Sequence, residues 1–298
     1  MSPIISQLLY TIETALLFSF VTVGAYLSFR ILRFPDLTSE GGFGLSSIVG
    51  GMVLLKTGSG WLSLLSGVGV GFFTGLITAF LANKVRLPTI LASILTMTMS
   101  LSAGLLIAGK PSLTLTDEWV LRSLLPFINS SLAIGIIGLG VGFIVMVPII
   151  VMFFKTGIGY ILRMRGENPS LCIELKHSLL LWDIIGLGLA NGLVGLSAVL
   201  LSQRSGYASI NMGRGVAISA IAAIMLSEAL FATRKLHLSI IGCFVGTLIL
   251  QLVRLIALNC GIPDGGLDLV TSLMVIFFCW IAASQKNSRP SLLEQIRM

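Results

Sequence analysis

Charge is what this sequence lacks. Only 10% of its 298 residues are Asp, Glu, Lys or Arg, against about 25% in a soluble domain of ordinary composition. With 55% hydrophobic residues and a mean hydropathy of +1.01, polar surface is too scarce to solvate a globule. An integral membrane protein follows. No stretch between apolar runs exceeds roughly 25 residues, too short for a core of its own, so one transmembrane domain over residues 1–298 is expected. Cysteine is also sparse. Cys172, Cys243, Cys260 and Cys279 are scattered without CxxC spacing, which argues against a metal knuckle or a disulfide framework. The two histidines, His177 and His237, sit near the ends of apolar runs. HExxH, an aspartate-rich diphosphate motif and GxSxG are all missing. Residues Gly104 to Lys110 fit the GxxxxGK of a phosphate loop. Pro111 then stands where Ser or Thr must hold magnesium, and the glycines lie in an apolar run rather than after a strand. The chain is therefore read as a non-enzyme with no nucleotide, metal or cofactor site of its own. Its net charge of +7 sits in short loops and gives no reason to expect nucleic acid.

What is present is a series of long apolar runs. A helix needs about 20 apolar residues to cross the hydrocarbon core, and the candidates are 12–33, 61–82, 88–109, 132–154, 180–203, 214–231, 236–258 and 267–283. A ninth, 42–55, is short and glycine-rich, and must be distorted, re-entrant or sunk inside the bundle. The expected fold is all-α, with about nine transmembrane helices and eight or ten as the neighbouring counts. Lys and Arg of short loops set orientation. With loop 155–180 in the cytoplasm, thirteen basic residues lie inside and five outside, which puts the N-terminus outside and the C-terminus inside. Shifted by 173 residues, Gly42, Ser46, Ile48 and Met52 fall on Gly215, Ser219, Ile221 and Met225. Because 42–55 runs outward and 214–231 inward, an inverted repeat of the kind transporters use is expected.

Glycines four apart (Gly67/Gly71/Gly75, Gly138/Gly142, Gly188/Gly192, Gly242/Gly246) predict close helix packing within the subunit. Glu13 and Asp183 fall at span ends and are read as solvated. Glu228 and Arg254 are separated by roughly 27 Å along their helices at 1.5 Å per residue, so Glu228 is expected to meet Arg234 or Lys235 at the cytoplasmic face. Asn191, mid-span, must find a partner, either an interhelical bond or a polar pathway. Thr96, Thr98, Ser100 and Ser102 alternate along one span, though such hydroxyls also bond back to their own helix. The basic loop 155–180 holds Lys155, Arg163, Arg165 and Lys176 around Gly166-Glu167-Asn168-Pro169. There Gly166 permits a tight turn, and Asn168-Pro169 suits either a turn or the start of a helix over Leu171 to Leu175.

Several ordered motifs carry a family resemblance. They are Pro35-Asp36-Leu37-Thr38 with Gly41-Gly42-Phe43, Ile94-Leu95-Thr96-Met97-Thr98, Arg163-x-Arg165-Gly166-Glu167-Asn168-Pro169, Ala190-Asn191-Gly192-Leu193-Val194-x-Leu196-Ser197, Gln203 with Gly206, and Met212-Gly213-x-Gly215. Together they resemble the permeases of ATP-binding-cassette importers in the branched-chain-amino-acid and ribose permease superfamily, in particular those linked to uptake of tryptophan and related amino acids.

The resemblance implies a permease subunit that moves a small solute, an amino acid, by alternating access. It implies a second permease subunit in a homodimer, a cytoplasmic ATPase dimer that alone holds ATP and magnesium, and an extracytoplasmic solute-binding protein. The setting would be the lipid of a bacterial inner membrane. Loop 155–180 would couple to the ATPase through Arg163, Arg165, Gly166, Glu167, Asn168 and Pro169, and Asp36, Thr96, Asn191 and Gln203 are the candidate pathway residues. The chain departs from the family where Cys172 stands in what is usually an alanine-containing helix, where Lys176 stands near a usual glycine, and where Ser227 takes the place of a usual glycine before Glu228. The rival reading is a self-contained ion-coupled secondary transporter, which would want a midplane carboxylate.

Overall fold

A backbone in hydrocarbon must satisfy its own hydrogen bonds, and the apolar runs accordingly become helices. The computed structural model describes residues 3–115, 120, 131–231, 236–267, 269–274 and 276. Helix α1 (Pro3–Tyr26) ends in a π-helical turn, Leu27–Ile31. It is followed by α2 (Thr38–Thr57), α3 (Gly60–Asn83) and α4 (Thr89–Ala108). A short strand β1 (Ser112–Thr114) precedes α5 (Ser131–Phe153). Two short helices, α6 (Gly157–Glu167) and α7 (Pro169–Glu174), lead into the 27-residue α8 (Leu179–Ser205). Strand β2 (Tyr207–Ser209), a 3-10 turn (Ile210–Gly213), α9 (Val216–Leu230) and α10 (Leu236–Asn259) complete the main body.

Among the described residues, seven helical stretches are long and apolar enough to cross a membrane. The protein is an all-α membrane protein. Helix α2 is not one of the seven, because serine, glycine and Glu40 dilute its apolar content. It is nonetheless a full 20-residue helix, longer than the 42–55 run, and sits inside the bundle against α3, α4 and α8. Of the alternatives for that run, burial is the one realised. The candidate span 267–283 lies largely outside the described residues.

Helices α3 and α8 form the centre, antiparallel and in register. A Cβ on Gly71 would lie 2.1 Å from the Asn191 carbonyl oxygen, one on Gly75 would lie 2.3 Å from that of Leu187, and one on Gly195 would lie 2.2 Å from that of Gly67. Each step of four along α3 meets a step of four along α8. Missing side chains thus let backbones touch where water cannot drive association, and Gly246 repeats this against the Ala223 carbonyl of α9.

The ends of the bundle are chemically distinct. At one end β1 pairs antiparallel with β2, Leu113 opposite Ala208, beside the ends of α4 and α8. At the other end lie Asn83, Asp183 and the α6–α7 segment. The three described non-glycine residues with left-handed backbone, Arg33 (φ 51°), Arg86 (φ 62°) and Lys176 (φ 60°), are all basic and all belong to connections at this second end. Positions suited to glycine carry cations there.

Candidate coupling segment and polar interior

The α6–α7 segment is built from its caps. Thr156 Oγ1 accepts from Gly159 N at 3.4 Å to start α6. Asn168 caps α7, its Oδ1 accepting from Leu171 N at 3.2 Å, with Pro169 in the first turn, as the Asn-Pro pair predicts. Helix α7 closes with a double hydrogen bond: His177 N donates to Cys172 O at 2.8 Å and Lys176 N to Ile173 O at 2.9 Å. That Schellman pattern requires a left-handed residue after the helix, which Lys176 supplies at φ 60°. The usual glycine near this position thus has a conformational reason, and Lys176 adopts the same backbone at some cost.

Two contacts fix the segment to the bundle. Gly166 packs so closely on the end of α1 that a Cβ would lie 1.9 Å from the Ile31 carbonyl oxygen. Arg165 Nη2 donates to Asp183 Oδ2 at 2.7 Å, and Asn83 Nδ2 donates to the same oxygen at 2.8 Å. Asp183 is 1% exposed. The sequence reading of a solvated Asp183 is thereby corrected, since α3 and α6 both close over it.

Of the remaining coupling candidates, Glu167 ends α6 exposed to solvent. Arg163 lies over the Phe154 ring, 5.4 Å from its centroid. Leu171, Ile173 and Leu175 are exposed on α7 and its C-cap, while Cys172 points inward and is buried.

Deeper in the bundle, Asp36 and Asn191 come together. Asp36 Oδ2 accepts from Asn191 Nδ2 at 2.7 Å, and Asp36 Oδ1 accepts from Thr38 N at 2.9 Å. The start of α2 is buried, and an unmet N–H there is costly. The Asp36 carboxylate meets one such donor and lies where the helix dipole favours negative charge. Thr38 Oγ1 bonds Thr78 Oγ1 at 2.7 Å, joining α2 to α3. Asn191 Oδ1 is buried without a hydrogen-bond partner among the described residues, and Gly42 lies beside it.

The other two pathway candidates stand apart. Thr96 is buried on α4 and donates to its own helix, to Ala92 O at 3.0 Å. Gln203 is twelve residues beyond Asn191 on α8, roughly 18 Å along the axis. It bonds backbone at the start of α3 and at residue 120 instead, donating to Gly60 O at 3.2 Å and accepting from Val120 N at 3.1 Å.

Three further pairings were not foreseen. Glu13 is 1% exposed and is gripped by both Arg204 Nε and Nη2, the latter at 3.1 Å. Glu228 pairs with Arg30 on the π-helical turn, while Arg234 and Lys235 lie outside the described residues. Arg254 donates to Ser219 Oγ at 2.9 Å. Glu13 and Arg204 stand at matched depth on α1 and α8, the one signal that sequence offered for the first pair.

The architecture is that of a multi-pass membrane protein, with a small capped two-helix segment clamped to one end and no cluster of metal-ligating side chains among the described residues. Residues 7–282 match the model of the family described as branched-chain amino acid transport system / permease component, and the chain belongs to that family. It is 28% identical over 273 residues to a tyrosine transport system permease protein of Clostridioides difficile (strain R20291), covering 92% of this chain and 90% of the relative. It is 30% identical over 274 residues to an uncharacterized protein of Rickettsia prowazekii (strain Madrid E), covering 90% of this chain and 95% of that one. No solved structure matches the chain.

Proposed function

We propose that this chain is the membrane-spanning subunit of an ATP-binding-cassette importer, one that moves an amino acid by alternating access while a separate cytoplasmic ATPase dimer hydrolyses ATP with magnesium. One observation carries the reading. The α6–α7 segment is a rigid, capped element held to the bundle by Gly166 against Ile31 and Arg165 on Asp183, with apolar Leu171, Ile173 and Leu175 left exposed beside basic residues. An element of that kind transmits a push from a docked partner to α1 and α8 without yielding. Arg163, Arg165, Gly166, Glu167, Asn168 and Pro169 form or hold it, and Ile173 leads its exposed face.

The remaining parts follow the family. A second copy of the chain completes the pore, and a solute-binding protein delivers substrate at the β1–β2 end, in a bacterial inner membrane. Nine spans fit the chain path: α1 to α5, α8, α9, α10 and the 267–283 run, with the N-terminus outside, α6–α7 inside and halves related as an inverted repeat. An amino acid substrate is supported by the printed name of the tyrosine transport relative. The solute path is assigned to the side of α8 bearing Asn191, with Asp36 next to it, Thr96 on α4 and Gln203 toward the outer mouth. No observation favours the ion-coupled rival, since both oxygens of Asp36 already accept N–H donors.

The test is cross-linking from α7. An Ile173→Cys variant expressed with a candidate ATP-binding-cassette ATPase of the same organism should form a bifunctional cross-link to that ATPase, and the affinity-tagged chain should co-purify with it. Absence of both the cross-link and the ATPase would remove the coupling role.

A further inference from the structure

A large apolar cavity among the described residues lies away from the polar interior. It encloses about 560 Å³ between α5 on one side and α1, α3 and α8 on the other. Its wall is apolar: Phe20, Trp61, Val68, Leu139, Met146 and Leu193 are representative. Glycines line it too, and Gly142 and Gly192 do not behave as a packing seam. A Cβ on Gly142 would meet only Phe20 Cζ, at 3.8 Å, and one on Gly192 only Val68, at 3.7 Å. Gly142 and Gly192 therefore leave room in a groove where the sequence predicts closed helix contact, whereas Gly188 keeps that close contact, a Cβ there lying 2.5 Å from the Phe72 ring.

An amino acid does not suit this space. A zwitterion carries two charges into hydrocarbon, and this wall offers neither of them a partner, so the desolvation cost goes unmet. What suits it is an acyl chain. Along α8 the lining runs from Gly188 to Leu200, roughly 18 Å at 1.5 Å per residue, slightly more than half of a core about 30 Å thick. One end of the groove is also charged. Phe153 and Phe154 form its wall where α5 ends, the Arg163 guanidinium lies over the Phe154 ring, and exposed Lys155 follows directly.

We propose that this groove holds one acyl chain of an anionic phospholipid, with the phosphate at Arg163 and Lys155. The lipid wedges α5 from α8 in the described conformation and fills a space that would otherwise cost packing. Arg163 is then a lipid contact on the face of α6 that turns toward α5, while the exposed tip of α7 remains free for another partner. The proposal stands on the cavity and its mouth and does not require the importer reading.

The experiment is native mass spectrometry of the full chain, purified in mild detergent, delipidated and re-exposed to phosphatidylglycerol or phosphatidylcholine. One phosphatidylglycerol per chain should be retained in preference to phosphatidylcholine. Gly142→Leu, whose side chain enters the groove, should lower retention about tenfold, the equivalent of displacing roughly two buried methylenes. Gly140→Leu, on the same helix where an added Cβ meets nothing within 4 Å, should leave retention unchanged. Arg163→Gln should abolish the preference for the anionic headgroup. If Gly142→Leu does not insert, Gly192→Val probes the opposite wall. Equal retention by the wild type, the Gly140 variant and a folded groove variant would overturn the proposal, as would indifference of the wild type to headgroup charge.

Discussion

Arg165 on α6 and Asp183 on α8 meet at 2.7 Å in a site where the aspartate is 1% exposed. This contact joins a short surface helix to the central helix of the bundle, and Asn83 of α3 donates to the same carboxylate oxygen. Removing one partner of a buried ion pair strands the other in low dielectric, at a cost of about 3–5 kcal/mol. Arg165→Ala is expected to lower thermal stability in detergent by an amount in that range. The double variant Arg165→Met/Asp183→Leu should cost clearly less than the sum of the single changes, and a double-mutant cycle on melting curves measures the difference.

Gly166→Ala tests the second clamp. The added Cβ would fall 1.9 Å from the Ile31 carbonyl oxygen, a backbone atom that moves only with the end of α1. Overpacking of this kind costs about 1–3 kcal/mol. The expected result is normal membrane insertion with reduced substrate-stimulated ATP hydrolysis in the assembled complex. Unchanged stimulation would show that α6 need not sit tightly on α1.

Lys176→Gly acts in the opposite direction. The left-handed backbone at Lys176 costs a side-chain-bearing residue about 1 kcal/mol, relieved in part by glycine. Hydrogen exchange of the α7 amides should slow in this variant, and faster exchange would contradict the Schellman closure described above.

Asp36→Ala removes the acceptor of both Thr38 N–H and Asn191 Nδ2. Leaving buried donors unmet costs about 1–3 kcal/mol each, so a clear drop in melting temperature is expected. Asn191→Leu should reduce substrate uptake more than it reduces co-purification with the ATPase, as measured on matched amounts of inserted protein.

Much of this architecture is legible in the sequence because hydrocarbon leaves the backbone few options. Seven of the apolar runs appear as helices, six of them near their expected limits, while α1 starts at Pro3 rather than near residue 12; the four-residue glycine spacing of α3 predicts its contact with α8. Asn168-Pro169 announces the start of α7 through local capping chemistry. What was hidden depends on neighbours. Asp183 and Glu13 look solvated in one dimension, because a span end reads the same whether water or another helix covers it; Arg165 and Arg204 cover them here. Gly142 and Gly192 have the spacing of a packing seam, yet spacing is silent on whether a second helix fills it. Asp36 lies outside every apolar run, and only the return of the chain at α2 carries it to Asn191.

Under the proposed function, transport is driven by ATP hydrolysed on another subunit and relayed through α6–α7. Amino acid uptake into proteoliposomes holding the purified permease with its ATPase and binding protein tests it directly. The expected result is uptake that requires ATP, persists when ion gradients are collapsed, and fails when Ile173 is replaced by aspartate. Uptake by the permease alone, following an ion gradient without ATP, would contradict the account.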